Sequence, residues 1–449
     1  AAGKGTRMKS AKPKVMHTLA GKPMLQHVID TAKQLSPSQL AVVSGNGADE
    51  VVPFLQNQQI DVVMQHEQKG TGHAVEQAKA SFVNSEQVLV LYGDVPLITA
   101  DTLQDLIESG DNNSLKVLTA ILEDPTGYGR IVRDYDDNML CITEEKDADE
   151  ETKLINEINT GIMCIPAKWL TEALSQLDNN NTQGEYYLTD LIAKAVNQGI
   201  EINSVTCEDE MEVAGINNRV QLAEVESYYQ QLKATELMMS GVTFRDPARV
   251  DIRGDIKAGQ DITIDINVIF EGNNTIADNV SIGANCILIN STIHEGAEIL
   301  PNSIIENAEV GTNCSVGPFA RLRPGTKLAA KAKVGNFVEV KNANIGLGSK
   351  INHLSYIGDT DMGADVNIGA GTITCNYDGA NKHRTVIGDR VFVGSDTQLV
   401  APVTVEDGAT IGAGSTIRKT APADSLTLTK SEQKTVKGWQ RPIKKKNTG

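Results

Sequence analysis

Aliphatic residues recur at every sixth position over much of the second half of the chain. A helix repeats every ~3.6 residues and a half-buried strand every two, so neither element gives this spacing. A period of six predicts short strands joined by tight turns, with one aliphatic side chain pointing inward from each strand. Two uninterrupted runs show the period: Val310, Val316, Leu322, Leu328, Val334 and Val340, then Ile387, Val393, Leu399, Val405, Ile411 and Ile417.

This ladder predicts a left-handed parallel β-helix of hexapeptide coils over residues 241–449. An irregular series of short β-hairpins is the alternative, but it would not keep one phase over so many repeats. Residues 374–382 break the period, and a loop that leaves a regular solenoid is a candidate binding element. The same spacing is already present in Val250, Ile256, Ile262 and Val268.

The first 219 residues show a different pattern, in which continuous apolar runs alternate with amphipathic segments. Residues 40–45 and 88–93 are apolar runs that end in glycine, which is typical of buried parallel strands. Residues 23–34 and 73–82 space their apolar side chains for helices. The alternation predicts a mostly parallel, doubly wound, Rossmann-like α/β domain over 1–219, with its ligand site at the carboxyl ends of the strands.

Residues 220–240 contain neither glycine nor proline and place apolar side chains on one helical face. Gly241 follows, where a glycine suits the end of a helix. The sequence therefore predicts a long helical linker between the two halves. The apolar face consists of Leu222, Val225, Tyr229 and Leu232.

Composition argues against several classes of function. The net charge of −17 over 449 residues is unfavourable for a DNA or RNA partner. No apolar run approaches the ~18 residues of a membrane span, so we expect no membrane partner. The six cysteines show no metal-ligand spacing, which favours reduced thiols in a cytoplasmic protein. The glycine-rich turn at 1–7 would normally follow a strand, so we expect the native chain to begin several residues earlier.

Two features of the first domain could hold phosphate and a divalent cation. The turn at 3–7, followed by Lys14, supplies close backbone approach, N–H groups and positive charge, which a phosphate chain needs. A plain strand-to-helix turn would also explain its glycines. Asp94 follows the apolar run 88–93, and one carboxylate together with substrate phosphates can hold Mg²⁺. Loop capping is the alternative role for that residue.

Functional residues of the β-helix have to come from positions that break its pattern. Arg321 and Arg323 lie beside a rung and could bind phosphate, although a solvated, ion-paired face would look the same. His353 is a candidate general base, because imidazole titrates near working pH. A structural role is the commoner one for a lone histidine in a coil.

Several motifs distributed over nearly the whole chain occur together. They are residues 1–8, 13–15, Gln65, 70–73, 91–97, 127–131, Glu144, 157–161, 215–219, 353–356 and 375–379. Their combination resembles the family of bifunctional bacterial N-acetylglucosamine-1-phosphate uridyltransferases/glucosamine-1-phosphate N-acetyltransferases, whose first half is a sugar nucleotidyltransferase.

The resemblance implies acetylation of glucosamine 1-phosphate by acetyl-CoA, then transfer of UMP from UTP to the product with release of pyrophosphate. The final product would be UDP-N-acetylglucosamine, a precursor of cell-wall and lipid A sugars. The resemblance also implies a homotrimer, and Mg²⁺ held by Asp94 and Asn217. The implied UTP- and sugar-nucleotide-binding residues are Ala1, Ala2, Gly3, Arg7, Lys14, Gln65, Gly70, Thr71, Tyr92, Gly93, Asp94, Gly129, Glu144, Asn159 and Asn217.

For the second half, the resemblance implies that His353 is the general base and that the Ala370 N–H contacts the thioester oxygen. Lys430 stands where the best-known members carry arginine, so the positive charge is kept without the forked guanidinium. The implied glucosamine-1-phosphate-binding residues are Arg323, Lys341, Tyr356, Asn367, Asn376 and Tyr377. The implied acetyl-CoA-binding residues are Ala370, Ser395, Ala413 and Lys430.

Two other functions are compatible with the overall pattern. One is a monofunctional sugar nucleotidyltransferase whose β-helix only oligomerises or regulates. The other is a non-catalytic trimeric scaffold with a relic domain. The motifs at 353–356 and 376–382 argue against the first, and Asp94 with Asn217 argues against the second.

Overall fold

The computed structural model describes residues 3, 5–430 and 432–442. The chain divides into two compact units, Ala1–Leu232 and Lys233–Gly449. The division falls within the helix Arg219–Met239, which matches the predicted helical linker. Gly241 follows that helix with φ of +108°, a conformation that favours glycine.

A six-stranded mixed sheet forms the centre of the first unit. Across the sheet its strands are Ile202–Cys207, Leu115–Ile121, Glu157–Pro166, Gly129–Arg133 and Met139–Thr143, with Gln87–Val90 also paired to Glu157–Pro166. A separate parallel pair, Ala41–Ser44 with Asp61–Met64, and a short hairpin, Thr18–Leu19 with Lys22–Pro23, complete its strands in the described residues.

The parallel share of this unit is smaller than the sequence predicts. Ile202–Cys207 pairs parallel with Leu115–Ile121, as Ala41–Ser44 does with Asp61–Met64. The ten-residue strand Glu157–Pro166 instead runs antiparallel to all three of its neighbours. Alternation of apolar and amphipathic segments gives the α/β class but does not reveal this reversal.

Helices pack around the sheet of the first unit. They are Met24–Gln34, Ala48–Gln56, Thr71–Gln77, Lys79–Phe82, Ala100–Glu108, Ala167–Ala173 and Asp190–Asn197, with 3₁₀ turns at Thr6–Met8, Lys14–Met16, Thr152–Leu154 and Leu174–Gln176. The predicted helix at 23–34 is confirmed. The one predicted at 73–82 is two shorter helices, because the chain leaves helical geometry at Ala78.

The second unit is a parallel β-helix, as predicted, and all pairings between its named strands are parallel. An eleven-stranded sheet comprises Val242–Phe244, Ile262–Ile264, Ser281–Ile282, Glu298–Ile299, Ser315–Val316, Lys333–Asn336, Lys350–His353, Asn367–Ile368, Phe392–Val393, Thr410–Ile411 and Leu426–Thr427. A seventeen-stranded sheet comprises Val250–Ala258, Val268–Ile276, Ile287–Ile289, Thr292–Ile293, Ile304–Glu306, Glu309–Val310, Arg321–Leu322, Lys327–Leu328, Glu339–Lys341, Asn344–Ile345, Tyr356–Gly358, Thr360–Met362, Ile373–Cys375, Thr385–Ile387, Gln398–Val400, Val403–Val405 and Thr416–Ile417. A 3₁₀ turn spans Pro247–Arg249.

The six-residue ladder forms the core of this unit. Every rung of the two runs is at most 3% exposed, so one aliphatic side chain per short strand fills the interior. Val316 pairs with Val334, and Val334 with Ile351, so one coil takes 17 or 18 residues. Asp361 pairs with Val386, 25 residues later, because this coil also contains the loop predicted at 374–382, whose first two residues end the strand Ile373–Cys375.

Within the described part of the chain, no helix combines the length and the apolarity needed to cross a membrane.

Candidate active sites

A glycine turn brings two cations together near the start of the first unit. Gly5 has φ of +55°, and a Cβ on it would lie 2.8 Å from the Lys14 Cβ, so the close approach favours glycine. The turn leads into Thr6–Met8. From there the Arg7 guanidinium donates to the Asn217 Oδ1 at 2.9 Å.

Asp94 and Asn217 present oxygen atoms to the same cation. The ammonium of Lys14 contacts the Asp94 carboxylate and lies 3.0 Å from the Asn217 Oδ1. The Ile216 N–H donates to the Asp94 carbonyl at 2.9 Å and holds the two loops together. Two oxygens converging on one positive charge match what Mg²⁺ takes from a protein when phosphates supply further ligands. Among the described residues no larger acidic, His or Cys cluster offers a closed metal site.

Gln65, Gly70 and Thr71 lie on neighbouring loops of the same unit. Gln65 is 3% exposed, and its Nε2 donates to the Gly70 carbonyl at 3.3 Å. Gly70 has φ of +112°, and a Cβ there would lie 2.5 Å from the Tyr186 carbonyl oxygen. The Thr71 hydroxyl accepts from the Leu188 N–H at 3.0 Å. The chain therefore bends closely around the buried Gln65 amide.

Tyr92 lies between the phosphate-binding candidates and the sugar-binding candidates. Gly161 has φ of +85°, and a Cβ there would lie 2.6 Å from the Tyr92 ring, so the contact requires glycine. Asn159 is 8% exposed and accepts through Oδ1 from the Gly161 N–H at 3.0 Å. Desolvation raises the pKa of the Tyr92 hydroxyl, and the charges of Glu144 and Asp94 raise it further. The phenol therefore stays protonated and can donate a hydrogen bond.

Glu144 supplies a largely buried carboxyl group to the same cleft. Burial raises its pKa, and a hydrogen bond from the Thr189 hydroxyl, 3.0 Å from Oε1, opposes that shift. Gly129 pairs with Asn159 across the sheet. A Cβ on Gly129 would lie 3.6 Å from the Glu144 Oε2, so the glycine leaves space beside the carboxylate.

For the remaining predicted residues of this half, the structure describes few or no contacts. Gly93 is buried next to Asp94. Gly3 is exposed, with no atom within 4 Å of an added Cβ. Ala1 and Ala2 lie outside the described residues.

In the second unit, His353, Ala370, Ser395 and Ala413 occupy equivalent positions on four successive coils. Asn336 occupies the same position on the coil before His353. Neighbouring strands lie ~4.8 Å apart, so this column presents a histidine followed by a strip of small residues along which an extended ligand could lie. The aliphatic rung two residues before each of these positions pairs with the rung of the next coil. In order, these rungs are Ile351, Ile368, Val393 and Ile411.

A group of cations lies on the seventeen-stranded sheet. Arg323 and Lys341 lie one coil apart, each directly after a paired rung. The Arg323 Nη1 donates to the Glu339 Oε1 at 2.7 Å. Lys382, from the loop that breaks the period, lies beside Lys341, and its side-chain contact and then its positive charge lower the pKa of Lys341. Ammonium groups held this close favour an anion bound between them.

Asn376 and Tyr356 approach each other beside this cationic group. The Asn376 Nδ2 donates to the Asp359 carboxylate, and the Asn342 Nδ2 donates to the other Asp359 oxygen at 2.5 Å. A Cβ on Gly358 would overlap the Tyr356 hydroxyl and lie 2.8 Å from the Asn376 Nδ2. The missing side chain of Gly358 therefore creates the space between the phenol and the amide.

Three predicted residues lie at the margins of these groups. Asn367 begins a strand three residues before Ala370 and is half-buried. Tyr377 is 61% exposed, and its hydroxyl donates to the Gly379 carbonyl at 2.6 Å. Lys430 is exposed, and no described side-chain hydrogen bond or ion pair joins it to the other acetyl-CoA candidates.

The sequence is similar to known families and proteins over nearly its whole length. The model of the MobA-like NTP transferase domain matches residues 1–185, that of the GMPPB C-terminal domain residues 252–350, and that of the bacterial transferase hexapeptide repeats residues 384–419. The "Bifunctional protein GlmU" of Marinobacter nauticus is 52% identical over 444 residues, covering 99% of this chain and 98% of that protein. The protein of the same name from Cupriavidus pinatubonensis is 54% identical over 445 residues, with the same coverage.

The chain belongs to the bifunctional GlmU family. It is therefore an enzyme with uridyltransferase and acetyltransferase activities that makes UDP-N-acetylglucosamine, from UTP and acetyl-CoA among its substrates. The expected function is confirmed, and the monofunctional and scaffold alternatives are set aside.

Sequence reasoning did not single out three residues that contact the predicted GlmU-family site residues. Lys382 lay within the predicted loop, where a cation close to a phosphate site could have been noticed. Asp359 belongs to no motif, although its φ of +48° is unusual for a non-glycine residue. Asn336 lies seventeen residues before His353, which is one coil in this part of the β-helix.

Proposed function

We propose that uridyl transfer takes place in the cleft of the first unit, within the domain 1–219. Arg7 and Lys14 neutralise the triphosphate of UTP. The phosphate oxygen of N-acetylglucosamine 1-phosphate attacks the α-phosphorus of UTP, and pyrophosphate leaves. No protein nucleophile is needed, because positioning and charge neutralisation supply most of the catalysis. The convergence of both cations on Asn217, with Asp94 against Lys14, supports this assignment.

Mg²⁺ is the metal that this site fits. Asp94 and Asn217 would hold it through one carboxylate and one amide oxygen, and the phosphates of UTP would supply further ligands. Bound there, the ion would neutralise charge on the phosphates. The two oxygens already share one cation, the Lys14 ammonium, and this observation supports the assignment.

The rest of the cleft would bind the two ends of the sugar nucleotide. Ala1, Ala2, Gly3, Gln65, Gly70 and Thr71 would face the uridine. Gly93 would let the backbone approach the ligand beside Asp94. Tyr92, Gly129, Glu144 and Asn159 would hold the sugar, with the Glu144 carboxylate beside the space that Gly129 leaves open.

Acetyl transfer would occur in the second unit, within the domain 241–449 that follows the helical linker 220–240. His353 accepts a proton from the amine of glucosamine 1-phosphate, and the amine nitrogen attacks the thioester carbonyl of acetyl-CoA. The Ala370 N–H, which no described hydrogen bond uses, would stabilise the developing oxyanion. The carbon–sulfur bond then breaks, and the CoA thiolate takes up the proton that His353 accepted, so CoA leaves as the thiol and the imidazole is neutral again.

The column of equivalent coil positions is the single observation that carries this proposal. It places His353 next to Ala370, then Ser395, then Ala413. A thioester carbonyl near Ala370 would therefore lie close to the base, while the rest of CoA extends along the small residues toward Lys430. Sequence spacing alone does not align these positions, since the coils between them differ in length.

Glucosamine 1-phosphate would bind on the seventeen-stranded sheet, which adjoins the sheet that carries His353. Arg323 and Lys341 would take the phosphate, with Lys382 as a third cation. Tyr356, Asn367, Asn376 and Tyr377 would contact the sugar. The like-charged ammonium groups of Lys341 and Lys382 support an anion site at this position.

We further propose that the protein is a homotrimer with its acetyltransferase sites between subunits. Phe319 and Phe337 stack with ring centroids 5.3 Å apart and are 50% and 57% exposed. Leu354, 62% exposed, continues this apolar ridge on the next coil, directly after His353. All three have positive φ, which is unfavourable for bulky side chains. A second copy of the chain covering this ridge would explain why bulky apolar side chains are exposed beside His353.

The cytoplasm is the compartment we propose for the enzyme. All six cysteines are free thiols, which fits a reducing environment.

A separated-activity assay tests the assignment of the two sites. His353→Ala should abolish acetyl transfer and leave Mg²⁺-dependent uridyl transfer unchanged, whereas Asp94→Ala should do the reverse. Each variant then serves as the folding control for the other. Equal loss of both activities in either variant, or acetyl transfer retained by His353→Ala, would contradict two independent sites.

A further inference from the structure

The imidazole of His353 has one described hydrogen-bond partner, the side chain of Asn336. The His353 Nδ1 lies 2.7 Å from the Asn336 Oδ1. The two residues pair directly across the parallel strands Lys333–Asn336 and Lys350–His353. The Asn336 carbonyl also accepts from the Leu354 N–H at 3.1 Å, so the backbone around the contact is fixed.

We propose that Asn336 is a positioning residue for acetyl transfer that sets the tautomer and orientation of His353. This inference rests on the proposed role of His353 as general base. An amide oxygen can only accept, so the Nδ1 that faces it must carry the proton. The Nε2 lone pair is then free to take a proton from the amine of glucosamine 1-phosphate.

The neutrality of Asn336 is the second part of the inference. A carboxylate at this position would stabilise the imidazolium and raise the pKa of the base. An amide orients the ring without raising its pKa in this way. The nearest charged residues on the two paired strands are Lys333 and Lys350, three residues before Asn336 and His353 respectively. The next strand, Asn367–Ile368, carries no charge. Among the described histidines, only His294 and His383 form ion pairs with carboxylates.

The deciding experiment is the pH profile of Asn336→Asp. The carboxylate should still accept from Nδ1–H but favour the charged ring, so the acid limb of kcat/KM for acetyl transfer should move up by about one pH unit. Activity should therefore fall about tenfold relative to wild type on the acid limb and recover toward high pH. Asn336→Ala should lower kcat about tenfold without moving the limb, because the tautomer and ring orientation are no longer held.

The pKa of the His353 ring can also be read without catalysis. Only neutral imidazole reacts with diethyl pyrocarbonate, so peptide mass spectrometry of His353 from about pH 5 to about pH 9 should show the same upward shift in Asn336→Asp. Asn344→Ala is the matched control. It removes an amide that also bridges residues seventeen apart, to Asp361 at 2.7 Å, and should leave the profile unchanged.

The possible results separate the inference from the function on which it rests. The inference is overturned if, in Asn336→Asp, neither the acid limb of kcat/KM nor the pKa of the His353 ring moves upward. This conclusion does not depend on the rate of Asn336→Ala. Acetyl transfer that survives His353→Ala overturns the proposed function itself. Uridyl transfer and thermal unfolding, measured on every variant, show that each chain is folded.

Discussion

The side-chain amide of Asn376 donates to the buried carboxylate of Asp359. This contact fixes which way the amide points: Nδ2 faces the Asp359 carboxylate, and Oδ1, which no described hydrogen bond uses, is left to accept from a ligand. The other Asp359 oxygen accepts from Asn342, so the carboxylate is itself held on two sides. Asn376 can therefore accept a hydrogen bond from the amine or a hydroxyl of a bound amino sugar.

Replacing Asp359 by Asn should impair acetyl transfer through Asn376. The substitution removes the charged acceptor, and a hydrogen bond to a charged group contributes enough to change KM for glucosamine 1-phosphate by roughly tenfold or more. Steady-state kinetics with acetyl-CoA saturating measure this directly. Asp361→Asn is the matched control, since Asp361 accepts an amide from Asn344 on the same sheet. Equal KM changes in both variants would show that the effect is not specific to Asn376.

Lys382 should matter for the phosphate of glucosamine 1-phosphate. Removing one of two adjacent ammonium groups with Lys382→Ala should raise KM for this substrate at least tenfold at low salt, with a smaller effect at high salt. Uridyl transfer should not change. Lys327→Ala, an exposed lysine on the same sheet, should behave as wild type. An unchanged KM in Lys382→Ala would remove this residue from the phosphate site.

Glu144→Gln should stabilise the ligand-free first unit at alkaline pH while weakening sugar binding. Burial raises the pKa of Glu144 in the folded protein, so ionising it destabilises the fold. The wild-type carboxyl contributes its full stability below the pKa that it has in the unfolded chain. That contribution is lost as the pH rises through its pKa in the folded protein. The unfolding temperature of Glu144→Gln should therefore exceed that of wild type at pH ~8, and the difference should shrink as pH falls toward ~4. If the difference in unfolding temperature between Glu144→Gln and wild type widened as the pH fell, it would contradict the upward shift of the Glu144 pKa.

Much of the fold follows from local pattern. The six-residue spacing identifies Val316, Val334 and Val340 as inward positions, and all three are completely buried. The helix Met24–Gln34 follows from apolar periodicity in the same way. Both predictions succeed because burial of one regular face determines the local structure. The long helix Arg219–Met239 follows instead from the absence of glycine and proline over 220–240, since its predicted apolar face is only partly buried: Val225 is buried, but Leu232 is 46% exposed.

The site geometry could not be predicted in this way, because its contacts join distant segments. Lys14 reaches Asp94 and Asn217 across 80 and 203 residues. Ser395 aligns with Ala370 and His353 only because the coil between Ala370 and Ser395 is lengthened by the loop, which a fixed period does not anticipate. Motifs could nominate such residues, but only the folded chain shows which of them lie together.

Phe319 and Phe337 offer a test of the proposed trimer. Two adjacent exposed aromatic rings can anchor an interface, and charges placed there would be desolvated if another subunit covers them. Phe319→Glu/Phe337→Glu should therefore change the mass in light scattering from that of three chains to that of one. The positive φ at both positions gives glutamate no additional strain relative to phenylalanine.

The same double variant should lose acetyl transfer while keeping uridyl transfer, because the ridge lies beside His353 and not in the first unit. Leu347→Glu is the control, since Leu347 is an exposed apolar residue of the β-helix outside the ridge. It should leave both the mass and the two activities unchanged. A double variant that remains trimeric would show that the ridge is not the interface. One that becomes monomeric yet acetylates glucosamine 1-phosphate at the wild-type rate would show that the base works without a neighbouring subunit.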